Sequence, residues 1–295
     1  IIAVGSRDTA RAREFAAKFG IARAHGSYEA LLADPDVDIV YIGLPNSLHR
    51  EWTIAAAKAG KHVLCEKPLA RSAADAQAMA HACRDAGVLL MEAFMWRHHA
   101  QQARLREILD SGAIGEPRIV SAAFAYPIDT SKANVRLQAD LEGGALMDVG
   151  CYAVNAARFV FGAEPVKVSG EQVVEGTFGV DMAFGGTLVF PGGRLAVVET
   201  SFVEASQQRL EIGCSDGRVV VQAPFRPDTA PGRIEIVRGD QAKVEEIPAE
   251  NQYARQIEHF QRSVTAGRLL APAEDGVAQA RVIEALYAAA ERAHE

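Results

Sequence analysis

His62-Val63-Leu64-Cys65-Glu66-Lys67-Pro68 decides the fold. A short, mostly apolar run that stops at a charged pair reads as a buried strand leaving its sheet. Parallel α/β sheets bind cofactors and carry out chemistry at that carboxyl edge. Pro68 fixes φ at the exit, so the ammonium of Lys67 is aimed rather than free. Working outward, apolar strands alternate with helices. Residues 48–59 read as a helix closed by Gly60, which suits the left-handed turn at a helix end. Upstream, 37–42 is a near-continuous apolar strand, 27–32 a short helix capped by Ser27, and 9–19 a helix stopped by Gly20. Downstream, Ser72 opens a helix, with Asp75 three residues on as a capping box. Gly87 ends it, and 88–91 is a further strand. Strands separated by helices of about ten to fifteen residues predict a doubly wound, Rossmann-type parallel sheet.

The pattern changes near Gly115. Residues 118–126 alternate loosely, and 145–161 read as a helix. Strand-like runs follow at 166–174, 182–190, 194–203, 209–214, 218–222, 233–237 and 243–247. Pro191-Gly192-Gly193 and Asp216-Gly217 are tight turns, and strands joined by tight turns are antiparallel. Helices at 252–266 and 274–294 follow. The expected organisation is a dinucleotide-binding domain over 1–115 and an α+β domain with an open antiparallel sheet over 116–295. Ile1-Ile2-Ala3-Val4 reads as a strand already under way, with no Gly-rich phosphate-binding turn before it. A missing N-terminal piece is therefore expected, carrying the first strand, that turn and the first helix.

The 295 residues carry 49% apolar and 23% charged side chains, as soluble two-domain proteins do. A net charge of -7 argues against a nucleic-acid or acidic-membrane partner. No apolar run approaches the ~18 residues of a membrane span. Cys65, Cys83, Cys151 and Cys214 are scattered, without metal or disulfide spacing. They read as small buried residues in a reducing compartment, so a cytoplasmic location is expected, although the start of the chain leaves an export signal open. No metal site is expected.

Four loops end apolar strands and line the expected crevice: Gly5-Ser6-Arg7, Gly43-Leu44-Pro45-Asn46, Glu66-Lys67-Pro68 and Glu92-Ala93-Phe94. NAD binders place an acid after the second strand, where it accepts from the ribose 2′-hydroxyl. Ser6-Arg7 stands there instead. An arginine fork suits a 2′-phosphate, which favours NADP(H), with NAD(H) as the alternative. Asp148-Val149-Gly150-Cys151-Tyr152 puts a carboxylate and a phenol on one helix face. A free tyrosine titrates at about 10, and a nearby ammonium lowers that value. Lys67 and Tyr152 therefore read as a proton-transfer pair, with Asp148 holding substrate or orienting Lys67. Gly143-Gly144 would let the backbone approach a ligand. Each residue also has a bland reading: Lys67 on the surface, Tyr152 in the core, Asp148 as an early-turn acid. His49 reads as a cap or a cofactor contact. Asn134 and Arg136 read as substrate contacts or a solvated loop. Trp96-Arg97 read as packing beside a nicotinamide or as an interdomain bridge. His98 and His99 are adjacent and make a poor metal pair.

Two stretches carry a resemblance: Leu44-Pro45-Asn46-Ser47-Leu48-His49, and Ala59-Gly60-Lys61-His62-Val63-Leu64-Cys65-Glu66-Lys67-Pro68. They are similar to the Gfo/Idh/MocA oxidoreductases. Met91-Glu92-Ala93-Phe94-Met95-Trp96-Arg97 and Gly143-Gly144-Ala145-Leu146-Met147-Asp148-Val149-Gly150-Cys151-Tyr152 resemble one branch. That branch includes glucose–fructose oxidoreductase, dimeric dihydrodiol dehydrogenase and NADP-dependent D-xylose dehydrogenase. The resemblance implies a Rossmann domain followed by an open antiparallel sheet, one face of which makes a homodimer or homotetramer interface. It puts Lys67 on the nicotinamide side of the site and assigns Tyr152 to acid/base catalysis. Pro45, Asn46, His49 and Glu66 are then expected to line the cofactor. The expectation is an NADP(H)-dependent oxidoreductase acting on a hydroxyl or carbonyl of a sugar, polyol or related diol. The alternatives are a non-enzymatic dinucleotide-sensing regulator and an NAD-dependent glycosidase.

Overall fold

In the computed structural model, residues 1–227 and 231–292 are described. Asp8 begins the first helix by accepting from the amides of Ala10 and Arg11, the N-cap arrangement that satisfies orphan donors. The chain then runs β1 (Ala3–Gly5), α1 (Thr9–Phe19), β2 (Arg23–His25), α2 (Tyr28–Leu32), β3 (Ile39–Ile42), α3 (His49–Lys58), β4 (His62–Cys65), α4 (Ala73–Asp85), β5 (Leu90–Glu92) and α5 (Ala100–Asp110). Ser27 and Ser72 cap α2 and α4 through their hydroxyls, as expected. The strands fall into two parallel ladders, β1-β2 and β3-β4-β5. In the second ladder Cys65 lies beside Ile42 on one side and Glu92 on the other. The loops after β3, β4 and β5 therefore leave the same edge.

The second half contains β6 (Pro117–Ala125), α6 (Cys151–Phe161), β7 (Lys167–Glu175), β8 (Val180–Phe190), β9 (Arg194–Ser201), β10 (Gln207–Cys214), β11 (Arg218–Gln222), β12 (Gly232–Arg238), β13 (Gln241–Ile247), α7 (Gln252–Ala266) and α8 (Ala273–Arg292). The expected end of the last helix at 294 lies outside the described residues. The eight strands form one sheet in the order β13-β12-β11-β10-β6-β9-β8-β7. It is antiparallel except at one seam: β6 and β9 run parallel. The reason is connectivity. The chain leaves β6, crosses through α6, and returns by the β7-β8-β9 meander, which brings β9 home in the direction of β6.

Val120, Ala122, Ala196, Val198, Leu210 and Ile212 line the inner face of this sheet, beneath α6. The same core takes in Phe94, Met95, Trp96, Leu105 and Ile108, upstream of residue 115. In α8, Val277 and Ala280 pack into the core of the first half while Ile283 and Leu286 pack into that of the second. This helix binds the two cores together. On the outer face Ile119 and Val197 are exposed, beside a Glu199–Arg209 ion pair. Among the described residues, no helix is long and apolar enough to cross a membrane.

Candidate active site

Three hydrogen bonds fix the turn after β4. The Lys67 amide donates to Glu66 Oε2 (3.2 Å), the Pro68 carbonyl meets His49 Nδ1 (3.1 Å), and the Leu69 amide donates to Glu92 Oε1 (2.7 Å). The Lys67–Pro68 peptide is cis. The turn is thus held on both sides of Lys67, whose side chain is only 12% exposed.

The second half delivers its groups on a wide helical turn. Leu146–Gly150 is a π-helix rather than the first turn of an ordinary α-helix; single π turns recur at functional sites. Its start is anchored by Asp181 on β8, whose Oδ2 accepts from the Leu146 amide at 2.7 Å. Gly144 makes room for this anchor. It has φ +117°, and a Cβ there would stand 2.1 Å from Asp181 Oδ1. A Cβ on Gly143 would stand 2.4 Å from the Arg136 carbonyl oxygen. The pair serves close approach to protein atoms. Gly150 lets the turn press on β9, since a Cβ there would meet Thr200 Cγ2 at 2.8 Å.

Lys67, Asp148 and Tyr152 meet. Lys67 Nζ donates to the Asp148 carbonyl (2.6 Å) and to Asp148 Oδ1 (3.2 Å). It also lies 4.9 Å from the centroid of the Tyr152 ring. A cation over a phenol face is attracted by the ring quadrupole. Asp148 Oδ2 takes two more bonds, from Tyr126 Oη (2.7 Å) and Arg136 Nε (2.8 Å). Asn134 caps the turn that carries Arg136 by accepting from its amide (3.1 Å), so it acts on the site through Arg136. Tyr126 lies just past β6 and was not singled out from sequence. A lone tyrosine at a strand end, 22 residues from Asp148, gives no local sign of its partner.

Charge follows from this geometry. Burial alone would raise the pKa of Asp148, but Lys67, Arg136 and the Tyr126 hydroxyl hold it below the usual carboxylate value. Burial alone would lower that of Lys67, but Asp148 and the neighbouring phenol keep it well above the usual lysine value. Asp148 is therefore an anion with two cations. Tyr152 departs from expectation. Burial raises its pKa well above 10, and Lys67 pulls it down by less. The cation faces the ring, while Tyr152 Oη donates to Met95 Sδ at 3.2 Å. The phenol is therefore neutral and keeps its proton.

The other expected cofactor residues divide. His49 is buried, and its Nε2 and Nδ1 lie 2.9 Å and 3.1 Å from the carbonyls of Leu44 and Pro68. Burial lowers its pKa, so the neutral ring donates to one of these carbonyls and packs against the other, between two site loops. Pro45 leads into the turn at Asn46–Leu48. Asn46 Nδ2 donates to the Glu142 carbonyl (2.8 Å), spanning the two halves. Glu66 accepts from Tyr41 Oη. Glu92 and Ala93 are buried beneath the Lys67 turn. Trp96 is fully buried, edge-on to Phe159 and Phe225. It is a core side chain because its turn faces the large sheet. Arg97 pairs with Asp275 of α8 at 2.5 Å, the bridging alternative. Ser6 and Arg7 follow β1; Arg7 is exposed and, among the described residues, engaged in no ion pair.

Residues 1–94 match the oxidoreductase family with an NAD-binding Rossmann fold, and 102–220 match the GFO/IDH/MocA C-terminal domain. The chain is 40% identical to D-xylose 1-dehydrogenase (NADP(+)) 2 of Haloferax volcanii, over 98% of its own length and 89% of that protein's. It belongs to the Gfo/Idh/MocA oxidoreductase family. Solved members with the same fold include a 3-ketoreductase from Actinomadura kijaniata in complex with NADP and TDP-benzene (TM-score 0.91, 35% identity, 98% of this chain, 89% of that one). Another is an aldose-aldose oxidoreductase from Caulobacter crescentus, complexed with glycerol (TM-score 0.91, 32% identity, 99% and 90%). As a Gfo/Idh/MocA protein the chain has both expected parts, the Rossmann-type parallel strands and the large sheet.

Proposed function

We propose that this protein is an NADP(H)-dependent oxidoreductase that moves a hydride to or from a hydroxyl or carbonyl carbon of a sugar, polyol or related diol. The observation that carries the reading is the meeting of Lys67, from the nucleotide half, with Asp148 and Tyr152, from the other half, in one cluster. The D-xylose dehydrogenase and the NADP-bound ketoreductase among its relatives support the cofactor and the substrate class. The donor set also fits the dinucleotide: Arg7 offers an unpaired guanidinium for a 2′-phosphate beside Ser6, and the Leu44–Asn46 and Glu66 loops flank Lys67. The dinucleotide supplies the hydride when bound.

The chain's own residues do the rest. Lys67 directs a permanent positive charge at the reacting oxygen, where negative charge develops in reduction. Tyr152, neutral and buried, supplies the proton when a carbonyl is reduced and recovers it in the reverse direction. Asp148 is a weak base, because Lys67, Arg136 and the Tyr126 hydroxyl lower its pKa and occupy its oxygens. It fixes Lys67 and, with Arg136 and Tyr126, forms the substrate-facing wall. The exposed apolar patch on the outer face of the sheet, around Ile119 and Val197, supports self-association as a homodimer or homotetramer. Functionally the chain divides into residues 1–115 and 116–295. A cytoplasmic location accords with four free cysteines.

The test is NADPH absorbance at 340 nm against a panel of aldoses, ketoses and cyclic diols, run in both directions. Turnover of one class supports the reading. Tight NADPH binding with no turnover of any would point to a sensor, and net glycoside hydrolysis with unchanged cofactor would point to a glycosidase.

A further inference from the structure

Glu92, the last residue of β5, is 5% exposed. Its Oε1 accepts from the Leu69 amide at 2.7 Å, while its Oε2 is buried with no hydrogen-bond partner among the described residues. Behind it lies α8, where a Cβ built on Gly276 would stand 3.4 Å from Oε2 and 2.7 Å from Leu69 Cδ2. The carboxyl is thus wedged between the Lys67 turn and α8. The charged groups around it are Arg97 beyond β5, Arg158 on α6 and Asp275 on α8. These are committed to one another and to Glu164: Arg97–Asp275 at 2.5 Å, Arg158–Asp275 at 2.9 Å and Arg158–Glu164 at 2.7 Å. Among the described residues Glu92 has no counter-ion of its own. Burying an acid with half its acceptors unused is unfavourable, and packing alone gives no reason for an acid here.

We propose that Glu92 is the positioning residue for Lys67, its carboxyl holding the backbone turn on which the ammonium is mounted. The inference rests on the proposed role of Lys67 and deepens it. Of the three bonds that fix the turn, only this one reaches it from behind, two residues past Lys67. Its strength depends on charge, because a carboxylate accepts more strongly than a neutral acid. Burial pushes the Glu92 carboxyl up to about 8, against the pull of the Leu69 amide and the two arginines. It is neutral at pH 7 and ionises as pH rises through about 8, so the turn tightens on the alkaline side. Lys67 itself stays charged throughout that range.

The test uses the full chain labelled with [ε-13C]lysine, with the Lys67 signal assigned by its loss in Lys67→Arg. In the wild type that signal moves between pH 7 and 9 with an inflection near 8. In Glu92→Gln, which keeps an acceptor for Leu69 but cannot ionise, the inflection disappears. Glu92→Ala shifts the Lys67 signal at every pH and lowers kcat about tenfold or more, with KM for the cofactor within about threefold. A wild-type signal flat across this range, an inflection that survives in Glu92→Gln, or a Glu92→Ala protein with the wild-type signal and kcat overturns the proposal. The spectra need no substrate, so the failure of every sugar to react would count against the proposed function and leave this inference to be judged by the resonance.

Discussion

Replacing Asp148 by Asn removes one negative charge and leaves two cations without their partner. Lys67 Nζ stands 3.2 Å from Asp148 Oδ1, with side chains 12% and 13% exposed. At an effective dielectric of about 20, that separation corresponds to roughly 5 kcal/mol of gross attraction. Desolvation offsets much of it, while breaking such a pair leaves a buried charge uncompensated, typically at about 3–5 kcal/mol. Because the Asp148 carbonyl still accepts from Lys67 at 2.6 Å, the lower end applies, and Asp148→Asn is expected to lose about 3 kcal/mol at pH 7. The pH dependence has a definite sign. Asp148 has a folded pKa below its ordinary value, so its contribution is present above about pH 4 and is lost as pH falls further. Lys67 has a raised one, so its contribution is lost only on the far alkaline side. Urea unfolding should therefore show a constant gap between wild type and variant from about pH 5 to 9, closing below about pH 4. Turnover should fall about a hundredfold through misplacement of Lys67. A gap under about 1 kcal/mol at pH 7, or one undiminished at the lowest pH at which both proteins fold, would refute the reasoning.

Arg136→Met removes a pair whose arginine side chain is 44% exposed, so stability should change by less than about 1 kcal/mol. KM for the sugar should rise about tenfold with kcat little altered, and an unchanged KM removes Arg136 from the substrate wall. Arg7→Asp should shift the NADPH-to-NADH preference at least tenfold toward NADH, read from the two kcat/KM values; a constant ratio sinks the phosphate assignment. Gly144→Ala places a Cβ 2.1 Å from Asp181 Oδ1 at φ +117° and should cost about 2 kcal/mol or more. Gly176→Ala, with nothing within 4 Å, is the control, and equal melting temperatures for the two would contradict the packing account.

Most elements were legible because their signals are local. Ser27, Ser72, Gly20 and Gly60 mark helix ends through their own chemistry, and the β4 run ends where a sheet edge requires. β2 was not legible: Arg23-Ala24-His25 has one apolar residue, and its place is set by pairing with β1. The parallel β6/β9 seam was hidden because crossovers are decided by the path between strands. α5 had a usable signal in Leu105, Ile108 and Leu109, spaced for one helix face. In the site, the Lys67, Asp148 and Tyr152 cluster was readable from residue type and position. The inward turn of Glu92 and Trp96 was not, since each is fixed by partners distant in sequence. Lys67 does pull the Tyr152 pKa down as expected, but the burial of the phenol, which raises it by more, was not visible in the sequence.

The central claim is that Tyr152 moves the proton under the charge of Lys67. Single-turnover hydride transfer in Tyr152→Phe tests it most directly, alongside NADPH affinity measured by fluorescence. The account predicts NADPH binding within about threefold of wild type and a transfer rate lower by about a hundredfold or more. Transfer at the wild-type rate with intact binding would contradict it.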